Sequence, residues 1–395
     1  MHSNIWKLNC IAGSIGSVIF ISVVVPFWQS NGLTLHQIFL LQSAFGFALV
    51  LSQIPTGYLS DVWGRKNVIV TGMFLLLLSM VAQAMSWTFS GFLVAEALRG
   101  FGLSFLSGTV EAMLYESMHT TPGQRTYRDL IGSQMFLRYG FEAITSVFGG
   151  FLAVYGLRIP VVASIAPFAF GFVVALSLKE LPLRARIKQA HSKAIVNVFR
   201  YTLFRHGEIR SIMLLHSTVS ASTLLIFWFT QPYQSLVGLP LGLFGITYAT
   251  IVGFGAVASR YVHVLEKHVS DKALLCIICG MVAGSYLFLG SVLSWWGLVF
   301  FLVARIAYGL ISPLTNDVLN RMTPAHMRAT ALSLRSSITS LLFACLSPIA
   351  GYLTDAYTLN QAIFITGCGI TALLLLQLFS MRQSFLSSST VRVRT

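Results

Sequence analysis

The sequence is short of charge. Only 10% of its 395 residues are Asp, Glu, Lys or Arg, against about 25% in soluble domains. So few charges cannot cover a water-facing surface, which excludes the two or three soluble domains that length alone suggests. Catalytic signatures are missing too. There is no phosphate-binding glycine-lysine loop, so ATP is not the driver, and there is no G-x-S-x-G turn and no His or Cys cluster at metal-ligand spacing. Neither an enzyme nor a bound cofactor or metal is expected. The five cysteines, Cys10, Cys276, Cys279, Cys345 and Cys368, all lie in apolar runs. Cys276 and Cys279 form a C-x-x-C with no further ligand, so they read as small core residues. No cleavable leader is expected either. Lys7 alone precedes a long apolar run without a small-residue cleavage site, and the first span is expected to be its own insertion signal.

What is present is apolar length. Hydrophobic residues make up 55% of the chain, in stretches of about 20 residues, each able to cross roughly 30 Å of hydrocarbon as a helix. About twelve can be placed, at 8–30, 35–59, 67–86, 90–116, 128–154, 158–178, 210–233, 240–264, 272–291, 294–319, 329–354 and 358–381. Turn signals such as Ser30-Asn31-Gly32 and Thr121-Pro122-Gly123 separate them.

The basic residues alternate along these gaps. Arg65 and Lys66, Arg125 and Arg128, Lys267 and Lys272, and Arg321 and Arg328 fall in even-numbered gaps, and Arg158 is the exception among the odd ones. By the positive-inside rule the even gaps and both termini are cytoplasmic. The net charge of +14 is then topological and lipid-facing, and nucleic acid is not needed to explain it. Residues 179–209 carry Lys179, Arg184, Arg186, Lys188, Lys193, Arg200 and Arg205, and read as a cytoplasmic linker between six spans and six spans. The halves also share a spacing. Arg99 precedes Glu111 by twelve residues, and Arg305 precedes Asp317 by twelve, as in a duplicated six-helix unit with its substrate between the repeats.

Between the second and third spans stands G-Y-L-S-D-V-W-G-R-K, Gly57 to Lys66. Gly57 is expected to allow close helix packing and Gly64 a tight turn. Asp61 is placed to accept bonds from a helix N-terminus or from Arg65. This stretch resembles the cytoplasmic loop motif of the major facilitator superfamily. The resemblance implies an all-α membrane protein of two six-helix bundles, 1–178 and 210–381, with linker 179–209 and a cytoplasmic tail 382–395. It implies a multi-pass secondary transporter of the bacterial inner membrane, monomeric, working by alternating access on a small molecule. It also implies that Asp61 and Arg65 close the cytoplasmic side when the cavity opens outward. The residues themselves equally allow a topogenic basic loop with a structural cap. After the eighth span the chain has Arg260, Glu266 and Lys267 but no Asp-x-x-Gly-Arg, so a paired latch there is degenerate.

Ionisable residues at membrane depth are costly and hence functional candidates. Arg99, in R-G-F-G, resembles the family's fourth-helix arginine, which is associated with proton coupling, and Glu96 could neutralise it. Arg138 and Glu142 share a face of the fifth span, as a self-neutralising pair or as part of a positive cavity wall. Arg305 adds a candidate from the other half. Glu111, Glu116 and Asp317 lie near cytoplasmic ends, where they could pair with Arg65, Arg125 or Arg321. His216 could titrate near neutrality or be a satisfied packing histidine. Thr145-Ser146 stands where drug/proton antiporters of the family carry Gly-Pro, ahead of Gly149-Gly150, which weakens that assignment. The prevalence of efflux among small bacterial members with this loop favours export, and the arginines favour cargo with an acidic group. Proton-coupled efflux of an amphipathic drug-like or siderophore-like compound is the expectation. Import of an anionic metabolite or siderophore is the alternative, and a passive channel or a membrane sensor are those of another class.

Topology is directly testable. On a Cys-less background, single cysteines in 179–209 are expected to resist an impermeant maleimide in intact cells and cysteines in 238–242 to react. Reaction of the linker from outside would overturn the orientation.

Overall fold

The computed structural model describes residues 2–119, 126–180, 199–324 and 327–392, and among them only helices and their connections occur. Among the described residues, eleven helical spans are long and apolar enough to cross a membrane. The fifth expected span forms a 29-residue helix, Tyr127–Tyr155, about 43 Å long at 1.5 Å per residue. Arg138 and Glu142 dilute its apolar character, which is why it stands apart from the eleven. Large apolar side chains such as Phe136, Phe148, Phe170 and Phe254 are exposed, as suits surfaces facing lipid. Trp63, Trp87, Trp295 and Trp296 are exposed at helix ends, where an interfacial belt places such rings.

The chain forms two compact units, Met1–Arg186 with Gln234–Val252, and Ile187–Tyr233 with Gly253–Thr395. In the first, α1 (His2–Gly16), α2 (Val24–Ser30), α3 (Leu35–Val62), α4 (Arg65–Met85), α5 (Phe89–Leu106), α6 (Thr109–His119), α7 (Tyr127–Tyr155), α8 (Arg158–Ala163) and α9 (Ile165–Leu176) follow in order. The second contains most of α10 (Gly207–Leu236) and the later part of α11 (Phe244–Leu265), then α12 (Asp271–Ser291), α13 (Leu298–Met322), α14 (Arg328–Ala356) and α15 (Leu359–Arg392).

Three expected spans are interrupted, the sixth only at Ser164 between α8 and α9, the first and fourth more deeply. The first unwinds after Gly16, passes through a 3₁₀ turn at Ile19–Val23 and resumes at Val24. Pro26 lacks an amide and clashes with the carbonyl four residues back, and the β-branched run before it resists a regular helix. Irregular backbone at membrane depth must be covered by protein. Here α7 covers it. Ser22 Oγ donates to the Ser146 carbonyl at 2.9 Å, and a Cβ at Gly16 or Gly149 would strike the carbonyl of Arg138 or of Ile19. On another side of α7, Ser146 and Gly150 touch Gly245. The fourth span breaks at Ser107 and Gly108, where Gly108 takes φ +75°. Glu111 therefore lies on a separate helix from Arg99, whereas Arg305 and Asp317 share the unbroken α13. The twelve-residue spacing is common to the halves, and the local geometry is not.

Gly57 departs from expectation. It is exposed, and a Cβ there would meet nothing within 4 Å, so close packing does not require it. The cysteines differ as well: Cys276, Cys345 and Cys368 are exposed, Cys10 is half-buried, and only Cys279 is buried. The outer faces of their helices hold them, because a thiol is apolar enough for lipid contact.

These contacts predict opposite outcomes for two glycines. Gly149→Val drives a branched side chain into the Ile19 backbone and is expected to cost about 3 kcal/mol or more, read as a collapse of the thermal midpoint in detergent. Gly57→Ala is expected to leave the midpoint unchanged or raise it, by up to about 1 kcal/mol from helix propensity.

Candidate functional site

Gly64 opens α4 at φ +87°, a conformation that glycine adopts without strain. The first two helical amides, of Arg65 and Lys66, donate to Glu180 Oε1 at 3.0 Å and Oε2 at 2.9 Å. One carboxylate thus fills two orphan donors at the positive end of the helix dipole. A Cβ at Gly64 would lie 2.8 Å from Glu180 Oε2, so the glycine also makes room for the cap. The Arg65 guanidinium, itself buried, turns to Glu116 on α6 at 2.6 Å. Glu180 and Glu116 therefore hold both groups that the sequence offers to Asp61, whose side chain lies outside the described residues. Sequence reasoning misses Glu180, an acid at the edge of a basic linker, because only the tertiary contact gives it a role.

The other terminal acids divide. Glu111 is exposed and forms no ion pair among the described residues, and Arg125 lies outside them. Arg321 pairs with Asp317 at 2.9 Å and with Asp271 at 3.2 Å. All three are largely exposed, where such pairs contribute little. Arg158, the exception in the charge pattern, is a structural clamp. It donates to the carbonyls of Ala84 and Ser86 at the end of α4 and to Asn31 Oδ1, and lies 3.5 Å over the Trp87 ring.

At membrane depth the first unit contains a continuous polar chain. Trp28 Nε1 donates to Gln83 Oε1 at 3.1 Å, and Gln83 Nε2 donates to Glu96 Oε1 at 2.7 Å. Arg99 Nε donates to Glu96 Oε2 at 3.0 Å, its Nη2 reaches Gln42 Oε1 at 3.4 Å, and its guanidinium lies 4.4 Å over Phe45. Glu96 is 1% exposed and is the only buried carboxylate among the described residues. Arg99 is thus matched by a counter-charge on its own helix, fixed in turn by Gln83 and Trp28.

On α7 the sequence allows an Arg138–Glu142 pair, and the structure does not form it. Glu142 Oε1 accepts from the buried Tyr248 hydroxyl at 2.6 Å. Arg138 is exposed and makes no hydrogen bond or ion pair among the described residues. A fixed, desolvated phenol offers the carboxylate a stronger bond than a long side chain that must be immobilised in an exposed setting.

The second unit is different. Arg305 makes no ion pair among the described residues; its guanidinium lies over Tyr308 at 4.8 Å and Phe227 at 5.9 Å, with Nε buried and without a partner among them. Arg335, on α14, is 8% exposed. Its Nη1 donates to Asn316 Oδ1 and, at 3.4 Å, to Thr315 Oγ1, while Nε has no partner. Thr315 Oγ1 lies 2.7 Å from both the Ile311 carbonyl and His216 Nδ1, and Ser220 Oγ lies 3.2 Å from His216 Nε2, so both ring nitrogens have hydroxyl partners. His216 is a satisfied buried histidine. Sequence reasoning misses Arg335, which stands two turns after Arg328, where a positive charge reads as loop topology. Its signal is an arginine seven residues into an apolar helix. Among the described residues no group of three or more His, Cys, Asp or Glu could hold a metal.

Comparison with known proteins adds the family. The profile of the Major Facilitator Superfamily matches residues 8–341. An uncharacterized MFS-type transporter of Methanocaldococcus jannaschii is 22% identical over 366 residues, 90% of this chain and 93% of that protein. The inner membrane transport protein YajR of Escherichia coli is 22% identical over 346 residues, 86% of this chain and 74% of its own length. Among solved structures, the nucleoside transporter NupG superposes with a TM-score of 0.76 at 13% identity, covering 98% of this chain and 99% of that one. A D-xylose-proton symporter gives 0.74 at 14% identity, covering 95% and 96%. At such identities these structures show the fold alone.

The α7 geometry predicts a double-mutant cycle. Tyr248→Phe and Glu142→Gln are expected to be non-additive in thermal stability by about 1–3 kcal/mol, the range for a hydrogen bond to a charged group. Arg138→Gln and Glu142→Gln are expected to add. Coupling in the second cycle instead of the first would restore the ion pair.

Proposed function

The chain belongs to the major facilitator superfamily, and from that premise we propose that it is a proton-driven secondary transporter exporting a small amphipathic organic anion, drug-like or siderophore-like, across the bacterial inner membrane. That it is a multi-pass membrane transporter and not an enzyme follows from the family and from its relatives. Proton coupling and the acidic cargo are our reading of the residues. Export rests on the loop resemblance.

One observation carries the coupling. Glu96 is a buried carboxylate whose charge is answered by Arg99. Proton binding at Glu96 removes that charge and leaves a desolvated guanidinium in need of an anion. Protonation of Glu96 thus breaks the pair and changes the interactions available to the state that holds the proton, which is the differential interaction a proton-coupled cycle requires. In the same reading the loop with Gly57, Asp61, Gly64, Arg65 and Lys66 is the cytoplasmic latch, its Arg65–Glu116 bridge made and broken as the cavity changes sides.

The test is flux in proteoliposomes with an imposed pH gradient, using anions chosen by screening a knockout for altered resistance and metabolite export. Uphill movement of an anion is expected, and a channel would give none. Glu96→Gln is expected to cut gradient-driven accumulation about tenfold or more, equivalent to at least about 1.4 kcal/mol of coupling, while gradient-free counterflow persists. Equal loss of both would deny Glu96 the coupling role.

A further inference from the structure

We propose that Arg335, with Asn316, Thr315 and His216 around it, forms the seat for the anionic group of the cargo, a carboxylate or a phosphate. This rests on the transport reading above and assigns its anion a place. The argument is one of unanswered charge. Arg335 is 8% exposed, and a buried guanidinium is retained only where something answers it. Among the described residues of the first unit, Arg65 has Glu116 and Arg99 has Glu96, while Lys7 Nζ donates to the neutral Ser177 carbonyl. Around Arg335 the acceptors are a neutral amide and a neutral hydroxyl.

No carboxylate of the second unit stands in for the missing one. Glu208, Glu266, Asp271 and Asp355 lie at or near helix ends. Asp317 adjoins Asn316 in sequence, but it is exposed and bound to Arg321. The polar groups facing Arg335 include no carboxylate: they are Asn316, Thr315 and His216, the last set between the Thr315 and Ser220 hydroxyls.

The geometry of the free donors is informative. Nη1 is used by Asn316 and Thr315, whereas Nε and Nη2 have no acceptor among the described residues. Nε and Nη2 form the side of the guanidinium that grips a carboxylate or phosphate with two parallel bonds. The protein occupies the other side and leaves Nε buried without an acceptor among the described residues. Arg305, Tyr308, Ser312 and Asn316 recur at three- and four-residue steps along α13, and the last three are half-buried. That stripe leads from the unpaired Arg305 to the seat, with Tyr308 in electrostatic reach of Arg335 as well as under Arg305, and it offers a ring surface to the apolar part of an amphipathic anion.

The experiment uses the full chain in phosphatidylcholine nanodiscs, with benzoate, its neutral isostere benzamide and inorganic phosphate as probes. Binding is read by thermal shift and by tryptophan fluorescence. Benzoate or phosphate is expected to stabilise the protein in a saturable way and benzamide not to. Arg335→Gln is expected to weaken the anion response about tenfold or more, and Arg138→Gln to leave it intact. Since loss of a buried arginine can impair folding, Asn316→Asp gives a second reading. A carboxylate at that position supplies the missing counter-charge, so the unliganded protein is expected to melt higher and to lose its response to anions. Equal responses to benzoate and benzamide would overturn the seat. So would an undiminished anion response in either folded variant, or stabilisation that follows added anionic lipid while benzoate has no effect. None of these readouts requires transport. Anion binding at Arg335 without gradient-driven flux would uphold the seat and sink the transport reading, and flux with an unaltered response in Arg335→Gln would do the reverse.

Discussion

A charged group withdrawn from water into a helix bundle must be answered within the protein, and this requirement organises both units. In the first, Glu96 answers Arg99, and the chain from Trp28 through Gln83 fixes the carboxylate, so the pair has one geometry. At the end of the same unit Glu180 and Glu116 answer the amides and guanidinium that start α4. In the second unit Arg335 and Arg305 are held by neutral hydrogen bonds and aromatic faces. The proposed cycle uses this contrast: internally paired charges would set structure and coupling, and a cation without an internal partner would take one from the cargo.

Close backbone contact makes such buried networks rigid. Helices in lipid gain nothing from hydrophobic burial against one another, so small residues and short approach distances carry their association. α7 illustrates the consequence. Gly16 and Gly149 let it meet the unwound part of the first span, and Gly245 meets it at Ser146. The least apolar span is thereby among the most tightly held, and it presents Glu142 to Tyr248 while Arg138 stays exposed. In the second unit Gly255 and Gly309 bring α11 and α13 together in the same way, directly beside Arg305.

The sequence made the helical class, the spans and the family legible because each rests on local or periodic information. Apolar length is summed along the chain, turn residues act within a few positions, and the Gly57–Lys66 motif is contiguous. Breaks in the first and fourth spans, near Pro26 and at Gly108, were not read from the sequence, and only the fold showed that α7 shelters the first. Partner choice was much less legible. The i,i+4 spacing of Arg138 and Glu142 allowed a pair that a tyrosine over a hundred residues away displaced, and nothing local to Glu180 marks it as the cap of α4.

By itself, then, the sequence determined a multi-pass helical transporter of this superfamily, because hydrocarbon imposes on every span the same requirement of length and apolarity. Tertiary structure decided which charges are answered and which are left open. Its reason is physical: the energy of a buried charge depends on groups within a few ångströms, and those groups come from distant parts of the chain. Arg99 and Arg335 look alike in sequence, each an arginine in an apolar helix. Only the packed neighbours distinguish the one that has its carboxylate from the one that lacks it.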